Sequence, residues 1–411
     1  MNITIIGAGH LGLTIANCIA SKNHHVTLFD IDAKKISSLK NKSLTIFEPN
    51  LEKLFLKNTK NNQLSFTSVF DQNASSSNLF ILALPSENNA KGEVDISQIE
   101  LTIKMFLKLK LRNKIIINKS TVPVGTTEKL NKLFPKDLNN IVVSNPEFLK
   151  EGSAVNDFLK PDRVIVGTTS AKAKTIIRKF YTSLKIPKNK IIFMSEKAAE
   201  FSKYAANSYL ASRISFINEL ANLSKKIGVN YKDIKKTLST DKRIGPHFLN
   251  PGLGFNGSCL PKDTLAFLNF SKQKKSKLTI LDSAIKANKE QKELLLNQLK
   301  THFKNNLKNK RIIIFGLTFK LNTSDTRNSP AIYMIKELLE LKAKITVHDP
   351  IALEFFKPHF KTKIDYNSDP YQAAKNGDAL LILTPWPYYK KLDYEKIKKQ
   401  MNTFTIFNPF F

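Results

Sequence analysis

Residues 2–12 of this 411-residue chain read Asn-Ile-Thr-Ile-Ile-Gly-Ala-Gly-His-Leu-Gly, and this stretch decides the fold. A short β-rich run is followed by three glycines at GxGxxG spacing, Gly7, Gly9 and Gly12. The first glycine permits a tight turn, the second lets a pyrophosphate approach the backbone, and the third lets a helix pack on the strand. The pattern predicts strand, turn and helix, with phosphates bound at the helix N-terminus.

The next apolar run, at residues 26–29, ends at Asp30, which lies 18 residues after Gly12. A carboxylate at this position can bind ribose hydroxyls and repels a 2′-phosphate, so the pattern favours NAD over NADP. Asp32 is the alternative for this role, and Lys35 is placed to lie near the ribose or the phosphates. The N-terminal segment therefore predicts a NAD site.

Apolar runs and helical stretches continue to alternate along the chain. A long, Ala-rich helix without glycine is predicted over residues 196–227 and ends at Gly228, and a second strand–glycine unit begins at residues 311–316. Further strand candidates occupy residues 79–84, 114–118, 141–143, 163–167, 344–348 and 379–383. This order predicts an α/β chain with two Rossmann-like, doubly wound parallel-sheet domains joined by a long central helix. The predicted boundaries give residues 1–200, 201–300 and 301–411.

The charge balance is strongly basic. Lys and Arg number 65 and Asp and Glu number 34, which gives a formal net charge of +31. Such a charge is compatible with binding to nucleic acid or an anionic membrane. The lysines are spread along the whole chain, however, without a block of five or six like charges. We interpret the lysines as solvent-exposed surface residues and expect no nucleic-acid partner. A third explanation is that some of the positive charge binds a small anionic substrate.

Other compositional features exclude several classes of protein. No segment approaches the ~18 consecutive apolar residues of a membrane span. No Lys or Arg precedes Lys22, so the N-terminus lacks the basic start of a signal peptide. Two cysteines cannot form a disulfide framework, and the seven histidines show no metal-ligand spacing. We expect a cytoplasmic protein without membrane association and without a metal.

Cys259 is the strongest candidate for chemistry. It lies in the sequence Gly-Phe-Asn-Gly-Ser-Cys-Leu-Pro-Lys-Asp at residues 254–263. A cysteine that only packs is expected within an apolar element, as Cys18 is. Cys259 instead follows a glycine loop and precedes a lysine, and nearby positive charge favours the nucleophilic thiolate. We therefore predict that Cys259 is a catalytic nucleophile.

Lys203 and Asn207 lie four residues apart in the predicted central helix, on the same face as Glu200. An ammonium and an amide directed at one point can stabilise a developing oxyanion. The alternative is that both side chains belong to a solvent-exposed face of the helix. Considered without other residues, the pair is better explained in this way. The presence of a candidate nucleophile, Cys259, in the same chain favours the catalytic interpretation.

Two acids, Glu147 and Glu151, follow the Asn-Pro turn at residues 145–146. If the segment is helical, both carboxylates share one face and can hold or activate water. The alternative is an acid pair at a helix N-terminus. Thr121 offers a hydroxyl at a strand end, for which simple turn chemistry is the alternative.

Three cations stand in glycine-rich or turn contexts, Arg243, Lys320 and Arg327. Fixed cations suit a diphosphate, and arginine can bind one bidentately. Each of them taken singly is better explained as a surface charge.

These pieces, in this order, resemble the UDP-glucose/GDP-mannose dehydrogenase family over essentially the whole chain, and most closely its members that act on UDP-glucose. The cysteine motif and the Phe-Lys and Asp-x-Arg motifs are the most specific. The motifs that carry the resemblance are Gly7–Gly12, Phe47-Glu48-Pro49, Ser120–Gly125, Asn145–Leu149, Pro161-Asp162-Arg163, Arg243-Ile244-Gly245, Gly257–Asp263, Gly316–Lys320 and Asp325-Thr326-Arg327.

The resemblance implies a NAD-dependent four-electron oxidation of UDP-glucose to UDP-glucuronate, a precursor for polysaccharide biosynthesis. The C6 alcohol becomes an aldehyde, which Cys259 captures as a thiohemiacetal. A second oxidation leaves a thioester, which water hydrolyses. By the same resemblance, Lys203 and Asn207 stabilise oxyanions. Asp263 orients water or relays protons, and Glu151 and Thr121 position the base and water.

The resemblance also implies binding residues and an assembly. The expected NAD contacts are Gly7, Gly9, Gly12, Asp30, Lys35, Ser86, Thr121, Glu151, Lys262 and Arg327. The expected contacts of the UDP-sugar are Phe148, Leu149, Lys150, Glu151, Lys203, Arg243, Phe248, Leu249, Asn250, Pro251, Gly252, Asn256 and Lys320. Residues 1–200 are then the NAD-binding domain, 201–300 the helical dimerisation region with the cysteine loop, and 301–411 the UDP-sugar-binding domain. The expected assembly is a homodimer through the central helix, in which Arg243 reaches the neighbour's substrate.

Two alternatives remain at this stage. A UDP-N-acetylhexosamine or GDP-mannose 6-dehydrogenase would use the same mechanism, although Pro-Lys-Asp after Cys259 favours UDP-glucose. A non-catalytic nucleotide- or nucleic-acid-binding protein is the other alternative. Asn256 stands where the family usually has glycine, so its side chain is expected to crowd the sugar or to require a positive φ, which Asn tolerates.

Overall fold

The computed structural model describes residues 1–89 and 92–410. The chain forms two compact units, Met1–Ala206 and Asn207–Phe411. The division falls within a 31-residue helix, Glu196–Lys226, which joins the two units. The helix ends where predicted, because Gly228 adopts the left-handed conformation with φ of 74° and the N–H of Val229 returns to the carbonyl of Ser224.

The first unit is an eight-stranded sheet with helices on both faces. The strands follow the order β3-β2-β1-β4-β5-β6-β7-β8, and every neighbouring pair is parallel except β6 and β7. The strands are β1 (Asn2–Ile6), β2 (His25–Phe29), β3 (Leu64–Thr67), β4 (Leu79–Leu82), β5 (Ile115–Asn118), β6 (Ile141–Ser144), β7 (Val164–Gly167) and β8 (Ile191–Met194). The helices are α1 (His10–Ala20), α2 (Ala33–Lys40), α3 (Leu51–Lys60), α4 (Gln72–Ser76), α5 (Ser97–Lys108), α6 (Thr126–Leu133), α7 (Ala154–Leu159), α8 (Ala171–Ser183) and the start of α9 (Glu196–Lys226).

Both faces of this sheet are buried, which explains why its strands read as continuous apolar runs. Along β5, Ile115 and Ile117 belong to one hydrophobic core and Ile116 belongs to the core on the opposite face. Successive side chains of a strand point to opposite faces, so a run of isoleucines supplies both cores at once.

The second unit contains the rest of α9 and a five-stranded, fully parallel sheet of order β11-β10-β9-β12-β13. Ile312 and Ile314 again pack on one face, and Ile313 and Phe315 on the other. Its strands are β9 (Arg311–Phe315), β10 (Lys344–His348), β11 (Asp365–Tyr366), β12 (Ala379–Ile382) and β13 (Ile406–Phe407). Its helices are α10 (Tyr231–Thr240), α11 (Leu260–Gln273), α12 (Thr279–His302), α13 (Pro330–Glu340), α14 (Leu353–Phe360), α15 (Pro370–Ala373), α16 (Pro387–Lys390) and α17 (Tyr394–Gln400).

The predicted fold class is confirmed, since two doubly wound, largely parallel α/β units are joined by a long helix. Residues 147–151 do not form the helix considered for Glu147 and Glu151, because residues 145–150 have no regular secondary structure and Glu151 lies in a turn. Within residues 1–89 and 92–410, no helix combines the length and apolarity that a membrane-spanning segment requires.

Candidate active site

The glycine loop after β1 is shaped by a different constraint at each glycine. Gly7 has φ of 104°, and a Cβ there would lie 2.4 Å from the carbonyl oxygen of Ala83. At Gly12 a Cβ would lie 1.8 Å from the carbonyl oxygen of Gly7, so the helix can approach the turn only without a side chain. At Gly9 a Cβ would meet no described atom within 4 Å, which leaves open space against the backbone. Space at this position is what a bound pyrophosphate requires.

Asp30 faces the glycine loop. Its Oδ2 accepts hydrogen bonds from the N–H of Ala8 at 2.7 Å and from Nζ of Lys35 at 3.1 Å, and its Oδ1 accepts the N–H of Asp32 at 3.0 Å. Asp32 instead caps α2, where its side chain accepts the N–H groups of Lys34 and Lys35. A carboxylate has about four acceptor positions, so Asp30 retains capacity for a ribose hydroxyl. These contacts favour Asp30 over Asp32 for that role.

The second unit repeats this turn but uses its acid differently. Gly316 has φ of 91°, and Asp349 follows β10 as Asp30 follows β2. The carboxylate of Asp349 accepts four hydrogen bonds, from the N–H groups of Leu317, Ile351 and Ala352 and from the indole of Trp386. Burial raises the pKa of Asp349. Because its acceptor positions are occupied, Asp349 has a structural role. The carboxylate with a position free for a ribose hydroxyl is Asp30 of the first unit.

The loops after β4 and β5 are tied together and to α9. Ser120 Oγ donates to the carbonyl of Leu84 at 2.7 Å and accepts its N–H at 3.0 Å, which places Thr121 and Ser86 on neighbouring loops. Farther along, Glu200 accepts the N–H of Gly125 at 2.5 Å and both the N–H and the hydroxyl of Thr127. Glu200, which the sequence placed on the same face as Lys203 without a role, thus caps the start of α6.

Lys203 and Glu147 form a buried ion pair. The Nζ of Lys203 donates to Glu147 Oε1 at 3.0 Å and to its carbonyl at 2.7 Å. Burial alone would raise the pKa of Glu147, but Lys203, the N–H of Leu149 and Lys119 together hold it below its ordinary value. Glu147 is therefore ionised, and its carboxylate can accept a proton delivered through Lys203.

Phe148 makes cation–π contacts with two side chains. The guanidinium carbon of Arg163 is 4.2 Å from its ring centroid, and Nζ of Lys203 is 5.2 Å from it. The electrostatic attraction between each cation and the face of the ring helps to hold the ring in one orientation. Arg163 belongs to the Pro-Asp-Arg motif, for which the sequence alone suggested no function.

A second lysine, Lys119, is buried behind this pair. Its Nζ donates to Asn145 Oδ1 at 3.0 Å, to the Asn145 carbonyl at 3.4 Å and to the hydroxyl of Tyr181 at 3.4 Å. Tyr181 also donates to Asn145 Oδ1. Burial lowers the pKa of Lys119 from 10.5 to about 8, an effect that Glu147 opposes and Lys203 reinforces.

In the second unit, Cys259 occupies the N-cap position of α11 and carries an exposed thiol. Pro261 stands in the first turn of this helix, where its missing N–H costs nothing, and the N–H of Asp263 bonds the carbonyl of Cys259 at 2.9 Å. The helix start therefore fixes the backbone of Cys259. The Ser258 hydroxyl lies 3.6 Å from the sulfur.

Asp263, four residues after the cysteine, is only 1% exposed. Its Oδ2 accepts a hydrogen bond of 2.6 Å from Nδ2 of Asn207, and its Oδ1 accepts one of 2.6 Å from Nζ of Lys262. The structure thus brings together Asn207, Asp263 and Lys262, which the sequence analysis predicted as functional residues.

The loop before Cys259 is held by amide side chains. Asn288 on α12 bonds both backbone groups of Phe255, accepting its N–H at 2.6 Å and donating to its carbonyl at 3.0 Å. Asn218 accepts the N–H of Gly252 at 2.7 Å, and Gln291 donates to the carbonyl of Gly252 at 2.8 Å. The loop predicted to bind substrate is therefore rigidly anchored to α9 and α12.

Asn256, which replaces the family's glycine, does not adopt a positive φ; the positive values belong to Gly254 and Gly257 on either side. Its Nδ2 donates to the carbonyls of Leu253 and Gly254, at 3.0 and 2.9 Å. Its Oδ1 is buried and has no hydrogen-bond partner within the described residues. The substitution thus adds loop contacts without backbone strain.

Two further motifs pack on the cysteine loop. A Cβ at Gly257 would lie 2.6 Å from the ring of Phe319, and Asn328 donates to the carbonyl of Gly257 at 3.3 Å. These contacts place the neighbours Lys320 and Arg327 beside the cysteine loop. Arg327 forms a bidentate pair with Asp325.

Arg243 lies apart from the other predicted residues. It is exposed and pairs bidentately with Asp241, next to a turn whose carbonyls at Ile244 and Gly245 accept hydrogen bonds from Arg213. Among residues 1–89 and 92–410, the hydrogen bonds and the ion pair of Arg243 go to Asp241, and none goes to the groups around Cys259.

Comparison with known proteins decides the family. The UDP-glucose/GDP-mannose dehydrogenase family matches the chain as three models: its NAD binding domain over residues 1–185, its central domain over 197–290 and its UDP binding domain over 313–410. The chain belongs to the UDP-glucose/GDP-mannose dehydrogenase family. The predicted family membership and the predicted cofactor, NAD, are both confirmed.

Individual relatives agree with this assignment. The chain is 37% identical over 406 residues to UDP-glucose 6-dehydrogenase of Rickettsia bellii (strain RML369-C), covering 98% of this chain and 93% of the relative. It is 35% identical to UDP-glucose 6-dehydrogenase YwqF of Bacillus subtilis (strain 168), covering 99% and 93%. A solved UDP-glucose dehydrogenase from the hyperthermophilic archaeon Pyrobaculum islandicum superposes with a TM-score of 0.90 at 30% identity, covering 98% and 96%.

We expect replacement of Lys119 by Met to change how stability depends on pH. The pKa of Lys119 is about 8 in the folded protein and ordinarily 10.5. Above pH 8 the folded state therefore releases a proton that the unfolded chain keeps. The wild type gains stability relative to Lys119→Met between about pH 8 and 10.5, by at most about 3 kcal/mol.

Urea denaturation of both proteins across this pH window measures the effect. Lys129→Met is the matched control, because Lys129 lies exposed on α6. A stability difference between wild type and Lys119→Met that stays flat across the window would contradict the burial of this charge.

Proposed function

We propose that this family member oxidises C6 of UDP-glucose to the carboxylate of UDP-glucuronate in two steps at Cys259. One observation carries the proposal: an exposed thiol at the N-cap of α11 stands one turn from a buried carboxylate held by Asn207 and Lys262. A thiol is a nucleophile whose thioester can still be hydrolysed, and the adjacent carboxylate can orient the water.

NAD supplies hydride acceptance in both steps when it is bound at the glycine loop. Between the steps, Cys259 adds its sulfur to the C6 aldehyde and forms a thiohemiacetal. Loss of the second hydride leaves a thioester, and water then cleaves the carbon–sulfur bond, releasing the acid and the thiol. Two hydrides leave the sugar carbon and one water oxygen enters it, so the overall change is a four-electron oxidation.

Side chains of α9 and of the segment after β6 would serve this reaction. We propose that Lys203 and Asn207 stabilise the oxyanions, since both are fixed donors on α9. Glu147, ionised beside Lys203, would take up the proton of the C6 alcohol through it. From the sequence, Glu147 is a candidate to hold or activate water only if its segment is helical; its contact with Lys203 adds it to the proposed catalytic set on other grounds. Thr121 and Glu151 would position water, as predicted.

The nucleotide sugar would be bound by residues that the sequence analysis predicted. Lys320 would meet the diphosphate, and the anchored loop at 248–252 would shape the sugar site, with Asn256 beside it. The buried Oδ1 of Asn256 offers a hydrogen-bond acceptor to a sugar hydroxyl. The remaining predicted contacts, Phe148, Leu149 and Lys150, follow directly after Glu147. We further propose a cytoplasmic location, where a reactive thiol stays reduced.

A panel of nucleotide sugars tests this function. UDP-glucose with excess NAD should yield two NADH per sugar, whereas UDP-N-acetylglucosamine, UDP-N-acetylmannosamine and GDP-mannose should react far more slowly. Spectrophotometric NADH counting measures the ratio. One NADH per sugar, or preference for another member of the panel, would contradict the proposal.

We also propose that the chain forms a homodimer through α9. Three large apolar side chains on one face of this helix are exposed, Tyr209 at 67%, Phe216 at 58% and Leu223 at 54%, and Ile227, directly after its last residue, is 65% exposed. Their spacings of seven, seven and four residues place them on one face, as in a helix that packs against another. An exposed apolar stripe of this length is typical of an interface.

Replacing Phe216 by Glu should convert the dimer to a monomer, because a charge in a desolvated interface is strongly unfavourable. Lys225→Glu is the matched control, since Lys225 lies about two and a half turns farther along α9, on the side opposite Phe216, and is exposed. Light scattering coupled to size exclusion measures the mass. A monomeric wild type, or a Phe216→Glu variant that remains dimeric, would contradict this assembly.

A further inference from the structure

Glu48 is a buried carboxylate for which the proposed mechanism has no use. It belongs to the Phe-Glu-Pro motif between α2 and α3 and is only 4% exposed. Its two oxygens reach segments that are 38 and more than 100 residues away in sequence. A buried carboxylate needs such partners to offset its lost hydration, so the choice of partners indicates its role.

One partner segment is the turn that carries Glu151. Glu48 Oε2 accepts the N–H of Gly152 at 2.7 Å, and Glu48 Oε1 accepts the N–H of Ala154 at 2.8 Å. The N–H of Gly152 belongs to the peptide bond that directly follows Glu151. Gly152 has φ of 80°, so this peptide is held in a left-handed turn that a side chain would strain. Glu48 therefore sets the direction in which the chain leaves Glu151.

The other partner is the glycine loop. Glu48 Oε2, the same oxygen that bonds Gly152, lies 3.1 Å from Nε2 of His10. His10 stands between Gly9 and Gly12 at the first position of α1, where the dinucleotide phosphates are expected. A single oxygen thus joins the loop that would bind NAD to the turn that would hold Glu151.

We propose that Glu48 is a positioning residue that couples occupancy of the dinucleotide loop to the placement of Glu151. A shift of His10 on NAD binding pulls or releases Glu48 Oε2, and the Glu151–Gly152 peptide follows. The inference rests on the proposed function, because it takes the dinucleotide site and the role of Glu151 from it.

Hydrogen exchange tests the coupling without turnover. In the wild type, NADH should slow exchange both at residues 7–13 and in the segment 150–155. In His10→Ala the first protection should persist and the second should be lost, because the link through Glu48 is cut. In Glu48→Gln the amides of Gly152 and Ala154 should exchange faster even without NADH, since one strong acceptor becomes a donor.

Steady-state kinetics give the second readout. At saturating NAD and UDP-glucose, Glu48→Gln should lower kcat by about 10-fold to 100-fold, as expected when a group held by another is misplaced. His10→Ala, which cuts the same link from the other end, should also lower kcat at saturating NAD. Glu48→Asp should restore part of kcat, and Glu52→Gln, on the exposed side of α3, should match the wild type.

The outcomes separate this inference from the proposed function. If the wild type oxidises UDP-glucose and Glu151→Gln is impaired, but Glu48→Gln keeps full kcat and NADH protects the segment 150–155 equally in His10→Ala, the coupling is overturned. If Glu151→Gln retains full activity, the proposed role of Glu151 fails. Loss of NADH protection at residues 7–13 in the wild type itself would contradict the dinucleotide site.

Discussion

The site around Cys259 depends on one buried interaction, the carboxylate of Asp263 held between the amide of Asn207 and the ammonium of Lys262. A carboxylate at 1% exposure is stable only when its oxygens are bonded, and removing one partner of such a group typically costs several kcal/mol. The interaction therefore fixes the first turn of α11, and with it the position of Cys259 at the helix N-cap. A nucleophile on a helix end is placed more accurately than one on a mobile loop.

Buried carboxylates repeat this principle elsewhere in the chain. Glu147 holds Lys203, Glu200 holds the loop that starts α6, and Asp349 holds the glycine turn of the second unit. Each joins segments that are far apart in sequence; Glu200 and Asp349 are buried, and the Glu147 side chain is 14% exposed. The polar groups of the site are thus positioned by other buried polar groups, and the apolar cores supply the rigid frame.

The parts of the structure that the sequence predicted are those set by local pattern. The GxGxxG spacing predicted the first turn, and the apolar runs predicted nine strands almost to their ends. The strands β3, β8, β11 and β13 were not predicted. The pairing of Lys203 with Glu147, by contrast, joins residues 56 positions apart, and the burial of Lys119 depends on α8 closing over it. The spacing of residues in the sequence could not predict these long-range contacts.

Two local expectations failed for physical reasons. The segment after Asn145 is not helical; the carboxylate of Glu147 accepts the N–H of Leu149 and bonds Lys203 instead. Asn256 does not need the left-handed conformation, because Gly254 and Gly257 on either side provide the two sharp turns.

The covalent role of Cys259 is the central claim, and product analysis of the Cys259→Ser variant tests it most directly. With UDP-glucose and excess NAD, we expect this variant to form no UDP-glucuronate, since a serine ester pathway lacks the thiolate nucleophile. Cys18→Ala is the control, because burial raises the pKa of Cys18 to about 12 and leaves it unreactive; it should form the acid as the wild type does. Formation of UDP-glucuronate by Cys259→Ser at the wild-type rate would contradict the account.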